Sequence, residues 1–157
     1  MPEVRTDADG GEWADVLSVL DVLPHRYPFV LVDRLRVVEA GRRALGIKRV
    51  TGSEWLGNDA SVPGGAMPGL LIVEALAQTS AGVLVGLLDG ASGAIGYFAA
   101  AHRVRFRKLP RAGDTLLLSV ELVQYRRGVA RLEGVASLDG ALSTSAEFTA
   151  VVRGRAA

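Results

Sequence analysis

The hydrophobic residues of the chain follow two spacings, which distinguish the predicted helices from the predicted strands. Apolar residues at helical intervals predict a first helix over residues 12–23, which ends at Pro24. A second helix is predicted to begin after Pro68-Gly69 and to run to about Leu88, where Asp89-Gly90 ends the apolar run. This second segment is apolar on nearly every side, so we expect protein all around it.

The predicted strands are segments rich in Val, Leu, Thr and aromatic residues. They cover residues 29–38, 43–50, 94–101, 103–108, 115–126, 129–138 and 141–153. A hairpin, a helix and then a meander of long strands predict an α+β fold, in which a curved antiparallel sheet wraps around one long central helix. The exposed edges of such a sheet favour a dimer that joins two sheets.

The 157 residues are predicted to form a flexible leader over residues 1–11 and a single domain over residues 12–157. The leader is acidic and polar and has no features of a signal peptide, so the cytoplasm is the expected location. Residues 67–88 are long and apolar enough to raise the question of a membrane span. Glu74 and Gln78 inside that run favour a buried helix of a soluble fold instead.

Composition and charge exclude several kinds of chemistry. The chain has no cysteine, which excludes disulfides, thiolate metal sites and a cysteine nucleophile. Its formal net charge of +1 removes any bulk electrostatic case for binding nucleic acid or an anionic membrane. We therefore expect neither of these partners, and we expect no metal and no cofactor.

Glu74 is the most distinctive candidate for chemistry, because its sequence neighbours Val73 and Ala75 are apolar. A carboxylate in such surroundings needs a hydrogen-bond partner or a wet cavity, and both suit a general acid. Gln78 follows one helical turn later and could orient the carboxylate. Alternatively, Glu74 pairs with an arginine from a strand, or both residues lie on a narrow exposed stripe.

The start of the second helix is another candidate. A helix N-terminus offers unpaired backbone N–H groups, which suit an oxyanion or a thioester carbonyl, and Gly69 lets a ligand come close. Alternatively, Pro68-Gly69 simply forms a tight turn. Glu74 lies about 8 Å further along the helix axis, at about 1.5 Å per residue.

The chain has two histidines, His25 and His102, and neither has a carboxylate at an informative spacing, so both are interpreted as structural or surface residues. Basic residues alternate with Val104 and Phe106 along a predicted strand. They are Arg103, Arg105, Arg107 and Lys108. This basic strip is either a solvated face or a docking patch for an acidic carrier protein or a phosphopantetheine phosphate.

Three segments together resemble the β-hydroxyacyl-ACP dehydratases of bacterial fatty-acid synthesis. They are residues 23–34, residues 67–78, and Arg105-Phe106 with Gly113-Asp114. The motifs occur in the order and spacing of that family, and the likeness spans about residues 15–153. The resemblance implies a hot-dog fold, a dimer with sites at the subunit interface, and an acyl carrier protein with a phosphopantetheine-linked acyl chain as partner.

The resemblance also implies roles for individual residues. In the family, a histidine contributed across the dimer interface takes the α-proton of the 3-hydroxyacyl thioester. A helix glutamate assists loss of the 3-hydroxyl group, and a glycine N–H at the helix mouth holds the thioester oxygen. By position the glutamate is Glu74 and the glycine is Gly69. The histidine position falls on Ala60 or Ser61, depending on the alignment, and no histidine occurs between Thr51 and Gly69.

The chain thus keeps the glutamate and the glycine of the family but lacks its histidine. This suggests that it is one subunit of a heterodimeric dehydratase of fatty-acid or polyketide biosynthesis. The chain would supply Glu74 and Gly69, with Gln78 orienting the acid, and a histidine-bearing homologue would supply the base. A homodimer would lack that base, since His25 matches a family residue of the entry turn and His102 is not expected to reach the thioester. Two alternatives stay open: a thioesterase or isomerase that uses Glu74 or Asp59, and a non-catalytic subunit that binds acyl-ACP.

Restoring an imidazole tests whether the rest of the site is intact. We expect Ala60→His, or Ser61→His beside it, to give the purified chain dehydratase activity, measured as hydration of crotonyl-ACP. Failure of both variants to gain activity, with the fold retained, would contradict the assigned base position.

Overall fold

A computed structural model of the chain describes residues 12–52, 65–87 and 95–153. Within these ranges the backbone forms three helices and six strands. In chain order they are α1 (Val16–Val22), β1 (Arg34–Glu39), β2 (Arg43–Arg49), α2 (Gly69–Thr79), α3 (Ala81–Leu87), β3 (Ile95–Phe106), β4 (Thr115–Arg126), β5 (Val129–Leu138) and β6 (Ala141–Arg153).

The six strands form one antiparallel sheet in the order β1-β2-β4-β5-β6-β3. β4, β5 and β6 follow one another as a meander, and β3 lies at the end of the sheet beside β6. α2 packs across β2, β4, β5 and β6. The predicted α+β architecture, with the sheet around a central helix, is therefore confirmed.

The hydrophobic core lies between α2 and the sheet. Burial alternates along β4, β5 and β6, because successive side chains of a strand point to opposite faces. The core residues from α2 and the sheet are at most 2% exposed to solvent. They are Ile72 and Leu76 of α2, Leu118 on β4, Leu132 on β5 and Phe148 on β6. Each such side chain contributes about 1.5–3 kcal/mol by leaving water. This packing fixes the rotation of α2 about its axis and thereby the direction of its polar residues.

The central helical segment has one interruption, at Ser80, between α2 and α3. The hydroxyl of Ser80 donates to the carbonyl of Ala77, and the hydroxyl of Thr79 donates to the carbonyl of Ala75. Such side-chain bonds compete with the backbone ladder and often bend helices. The segment Gly69–Leu87 is long and apolar enough to cross a membrane, but in the structure it is the helix that packs on the sheet, as predicted.

Three of the predicted strands are wrong in their bounds. β1 begins at Arg34 and not at residue 29, because the backbone of Phe29 and Leu31 bonds the side chain of Gln78 instead of a strand. Instead of the two predicted strands over residues 94–101 and 103–108, the described residues 95–106 form one strand. This strand is β3, whose pairing with β6 is irregular near His102 and whose φ at Arg103 is +47°.

The first helix is shorter than predicted. Ala14 forms a bridge with Leu35, so the helix begins only after Asp15. Asp15 caps it by accepting hydrogen bonds from the backbone N–H and the hydroxyl of Ser18, and these bonds lower the pKa of Asp15. The predicted leader, residues 1–11, lies outside the described ranges, so the domain division stays a prediction.

α3 approaches the turn between β1 and β2 very closely at Gly86. A Cβ atom at this position would overlap the backbone of Ala40 and Gly41. Gly82, one turn earlier, lies against the side chains of Ala44 and Leu35. Only a residue without a side chain allows α3 to contact the first hairpin at Gly86.

Gly86→Ala should lower the free energy of unfolding by about 1–3 kcal/mol through overpacking. At an open helical position the same change would raise it by about 1 kcal/mol. Gly52→Ala is the matched control, because its Cβ would meet Ala112 at an ordinary 3.8 Å. Urea unfolding measures both variants, and a Gly86→Ala protein as stable as the parent would contradict the close approach.

Candidate active site

A short β-bridge fixes the backbone at the N-terminus of α2, which we call the helix mouth. Ala66 pairs with Arg111, and the N–H of Met67 donates to the carbonyl of Pro110 at 2.8 Å. These contacts hold the backbone immediately before Pro68, the residue that precedes the helix. Because the first N–H groups of a helix have no intrahelical acceptor, this mouth can bind an oxyanion.

Gly69 is the first residue of α2, as the predicted oxyanion role requires. The ring of Phe106 lies against it, so that a Cβ at position 69 would be 2.5 Å from the ring carbons Cδ1 and Cε1. Phe106 is 45% exposed although it is apolar. Glycine thus keeps an accessible aromatic surface directly beside the helix mouth.

Glu74 points to a partly open part of the helix surface. Its side chain is 25% exposed, whereas Val73, Ala75 and Leu76 are buried. Its Oε1 lies 2.9 Å from Nε2 of Gln78 and 3.4 Å from Nε2 of His25. Among the described residues its partners are therefore an amide and an imidazole, not the arginine that the sequence left open as an alternative.

Gln78 is not the solvent-facing amide of the exposed-stripe alternative, since only 2% of the residue is exposed. Its Oε1 accepts from the N–H of Leu31 at 2.9 Å, and its Nε2 donates to the carbonyl of Phe29 at 2.8 Å and to Glu74. Both amide hydrogens have acceptors, and the reverse amide orientation would place oxygen against oxygen. Gln78 therefore holds residues 29–31 on α2 and holds the carboxylate of Glu74.

His25 is the residue that the sequence analysis missed. The histidine was interpreted as structural because no carboxylate lies near it in sequence, but the fold places Glu74 beside it across 49 positions of chain. Its side chain is 34% exposed, and its ring centroid lies 6.0 Å from that of Phe29. The one available signal was the run of residues 23–34, which the family resemblance includes as a unit.

The other histidine lies elsewhere. His102 is exposed on β3, pairs in register with Glu147 of β6, and lines a small surface cavity with Arg131 and Glu133. The predicted base positions Ala60 and Ser61, and Asp59 of the alternative mechanism, lie outside the described residues.

The basic strip is exposed in the structure, at Arg103, Arg105, Arg107 and Lys108. One of its members is engaged, because Arg103 donates to Glu147 at 2.6 Å. The other three leave positive charge at the end of β3 that also carries Phe106, the residue against Gly69. Cationic charge and the helix mouth therefore lie at the same end of this strand.

Comparisons with known proteins show which family this chain resembles in sequence. A family model described as the FabA-like domain matches residues 23–147. The 3-hydroxyacyl-acyl-carrier-protein dehydratase FabZ of Bacillus pumilus is 43% identical over 135 residues, which cover 86% of this chain and 93% of that protein. The protein of the same name from Caldanaerobacter subterraneus is also 43% identical over 135 residues, covering 86% and 95%.

Solved structures share the fold at lower identity. The dehydratase heterocomplex ApeI:P from Xenorhabdus doucetiae has a TM-score of 0.71 at 20% identity, covering 87% of this chain and 91% of the matched chain. A hypothetical thioesterase with coenzyme A from Streptococcus pneumoniae has a TM-score of 0.59 at 17% identity, covering 78% and 91%. At these identities the likeness establishes the hot-dog fold alone.

Replacing Gln78 by Met tests its hold on residues 29–31. Met has a similar size but leaves the carbonyl of Phe29 and the N–H of Leu31 without this partner, so the free energy of unfolding should fall by about 2–4 kcal/mol. Gln124→Met, at an exposed position of β4, should change it by less than about 0.5 kcal/mol. Equal effects of the two substitutions in urea unfolding would show that the bonds of Gln78 contribute nothing to stability.

Proposed function

We propose that this chain, which belongs to the FabA-like family of 3-hydroxyacyl-ACP dehydratases, is the acid-bearing subunit of a heterodimeric dehydratase. One contrast carries the proposal. Glu74 is held in a partly open site by two side chains, whereas the loop before α2 contains no histidine between Thr51 and Gly69. The acid is in place and the imidazole base is missing from its own chain.

The reaction removes water from a 3-hydroxyacyl thioester. A base of the partner subunit takes the proton from C2, and the electron pair of that C–H bond forms the C2=C3 double bond. The C3–O bond breaks as Glu74, in its protonated form, gives its proton to the departing hydroxyl. Water leaves, Glu74 becomes a carboxylate and the base holds a proton, so charge and atoms balance. General acid catalysis of this kind contributes about 10²–10⁴-fold.

Gly69 would stabilise the negative charge that develops on the thioester oxygen when the C2 proton leaves. Its N–H stands at the positive end of α2, where a fixed dipole needs no reorganisation during the reaction. The adjacent Phe106 ring offers an apolar surface to the thioester. Glu74 and Gly69 are five residues apart, about 8 Å along the axis, a separation that a bound acyl thioester can span.

The proposed partner molecules are inferred from the exposed basic residues and from a solved heterocomplex of the same fold. Arg105, Arg107 and Lys108 leave exposed positive charge at the end of β3 that carries Phe106, which suits an acidic carrier protein with a phosphopantetheine-linked acyl chain. The assembly of two different subunits has a parallel in the dehydratase heterocomplex ApeI:P, which shares the fold. We place the reaction in cytoplasmic fatty-acid or polyketide biosynthesis.

The proposal predicts an asymmetry between the two glutamates of the complex. The chain is co-expressed with histidine-bearing homologues from the same organism and purified by a tag on this chain, and hydration of crotonyl-ACP is measured. Glu74→Gln should lower kcat of the complex by about 10²–10⁴-fold. The equivalent substitution in the partner should have little effect, because the partner's glutamate faces the loop that lacks a histidine.

Glu121→Gln, on the surface of β4, is the matched control and should leave activity unchanged. Equal loss from both active-site glutamates, or a Glu74→Gln complex with full activity, would overturn the proposal. Release of free acid from the acyl-ACP, abolished by Glu74→Gln, would instead identify a thioesterase.

A further inference from the structure

We infer that His25 is a positioning residue, which fixes one oxygen of Glu74, and that it does not replace the missing base. The inference rests on the proposed function for its kinetic consequence. The structural part concerns only how the imidazole, the carboxylate and Gln78 are arranged.

The turn that carries His25 is built to hold it on α2. The guanidinium of Arg26 donates from Nη1 to the carbonyls of Leu23 and His25, at 2.7 and 2.8 Å, which closes the turn on itself. A few residues later Gln78 binds the backbone of Phe29 and Leu31. The turn is thus closed by its own side chain at its start and bound to α2 at its end, which limits the freedom of the imidazole to leave Glu74.

Hydrogen-bond accounting assigns the tautomer of the neutral imidazole. Nδ1 of His25 is buried and has no hydrogen-bond partner among the described residues. A proton on Nδ1 would be a buried donor without an acceptor, and Nε2 would then turn a lone pair toward the carboxylate oxygen. Both effects are unfavourable, so the proton belongs on Nε2, where it points at Oε1 of Glu74, 3.4 Å away. Such contacts are often long in ligand-free sites and tighten when substrate binds.

In this tautomer His25 cannot act as the base. Its free lone pair is on Nδ1, which is buried, so it cannot reach the C2 proton of a bound thioester. The imidazole acts on Glu74 instead. Oε1 is approached by two N–H groups, one from Gln78 and one from His25, which makes it the acceptor oxygen of the acid. The proton that Glu74 delivers therefore resides on Oε2.

Two substitutions separate holding from proton abstraction. In His25→Gln the side-chain amide nitrogen stands about as far from the backbone as Nε2 of histidine, so it can still donate to Glu74. In His25→Asn the amide is one carbon shorter and cannot reach. Neither variant has an imidazole, so a role as base predicts equal loss of about 10²–10⁴-fold in both. A positioning role predicts that glutamine rescues and asparagine does not.

The kinetic test uses the heterodimeric complex and crotonyl-ACP. His25→Gln should keep kcat within about threefold of the parent, and His25→Asn should lower kcat by at least about tenfold, with KM changed less than about twofold, because a misplaced acid affects the chemical step. Thermal unfolding of both variants checks that the fold is retained. Equal loss in both, or no loss in His25→Asn, would overturn the inference.

A spectroscopic test uses the chain alone, so it does not depend on the proposed function. The chain has only two histidines, and His102→Gln assigns their signals. Long-range ¹H–¹⁵N spectra should show one tautomer for His25, protonated on Nε2, and a mixture for the exposed His102. The ¹³C signal of the Glu74 carboxyl should shift in His25→Asn but not in His25→Gln. A His25 protonated on Nδ1, or mixed like His102, would contradict the structural part even if the dehydratase proposal holds.

Discussion

The whole site depends on one unusual requirement, a carboxylate that must be held on an otherwise apolar helix. Burial of Ile72 and Leu76 fixes which way α2 faces, and Glu74 emerges where the covering is incomplete. An isolated carboxylate there would be costly without polar partners. Gln78, one turn later, meets the requirement and at the same time binds the segment after Pro28 to the helix. The candidate acid and the fold are therefore stabilised by the same side chain.

This shared role explains why the strand prediction for residues 29–33 fails. Their Val and Leu content is typical of a strand, but the backbone of Phe29 and Leu31 bonds a glutamine on the helix. No local pattern reveals a partner 47 positions away in the chain. The long strands β4, β5 and β6 were predicted with their observed bounds, because alternating burial and tight turns are local signals.

The residues of the candidate site also fall into those that the sequence predicted and one that it did not. The sequence alone predicted Glu74, Gln78 and Gly69 as site residues, because all three lie on one helix. Gln78 follows Glu74 by one turn, and Gly69 is at the start of the helix. The sequence did not predict His25 as a site residue, because its contact with Glu74 depends on how the turn that carries it folds over α2. The resemblance to the dehydratases indicated that residues 23–34 matter, but it did not indicate that the imidazole contacts the acid. A contact between distant segments required the structure.

In the proposed function, this chain contributes half of an active site. One subunit keeps the helix mouth, the acid and two side chains that hold the acid, and it has no histidine in the loop where its family carries the base. A partner subunit completes such a site at a dimer interface without any change in the fold. The exposed edge at β3, paired only with β6 among the described strands, is where a second sheet could join.

The most direct measurement of this central claim is the hydration rate of crotonyl-ACP with the purified chain alone, free of any homologous subunit. We expect a rate indistinguishable from that of a Glu74→Gln protein, because acid and base are never both present. A rate for the chain alone that matches a histidine-bearing relative would contradict it and show that the site is complete in a single kind of subunit.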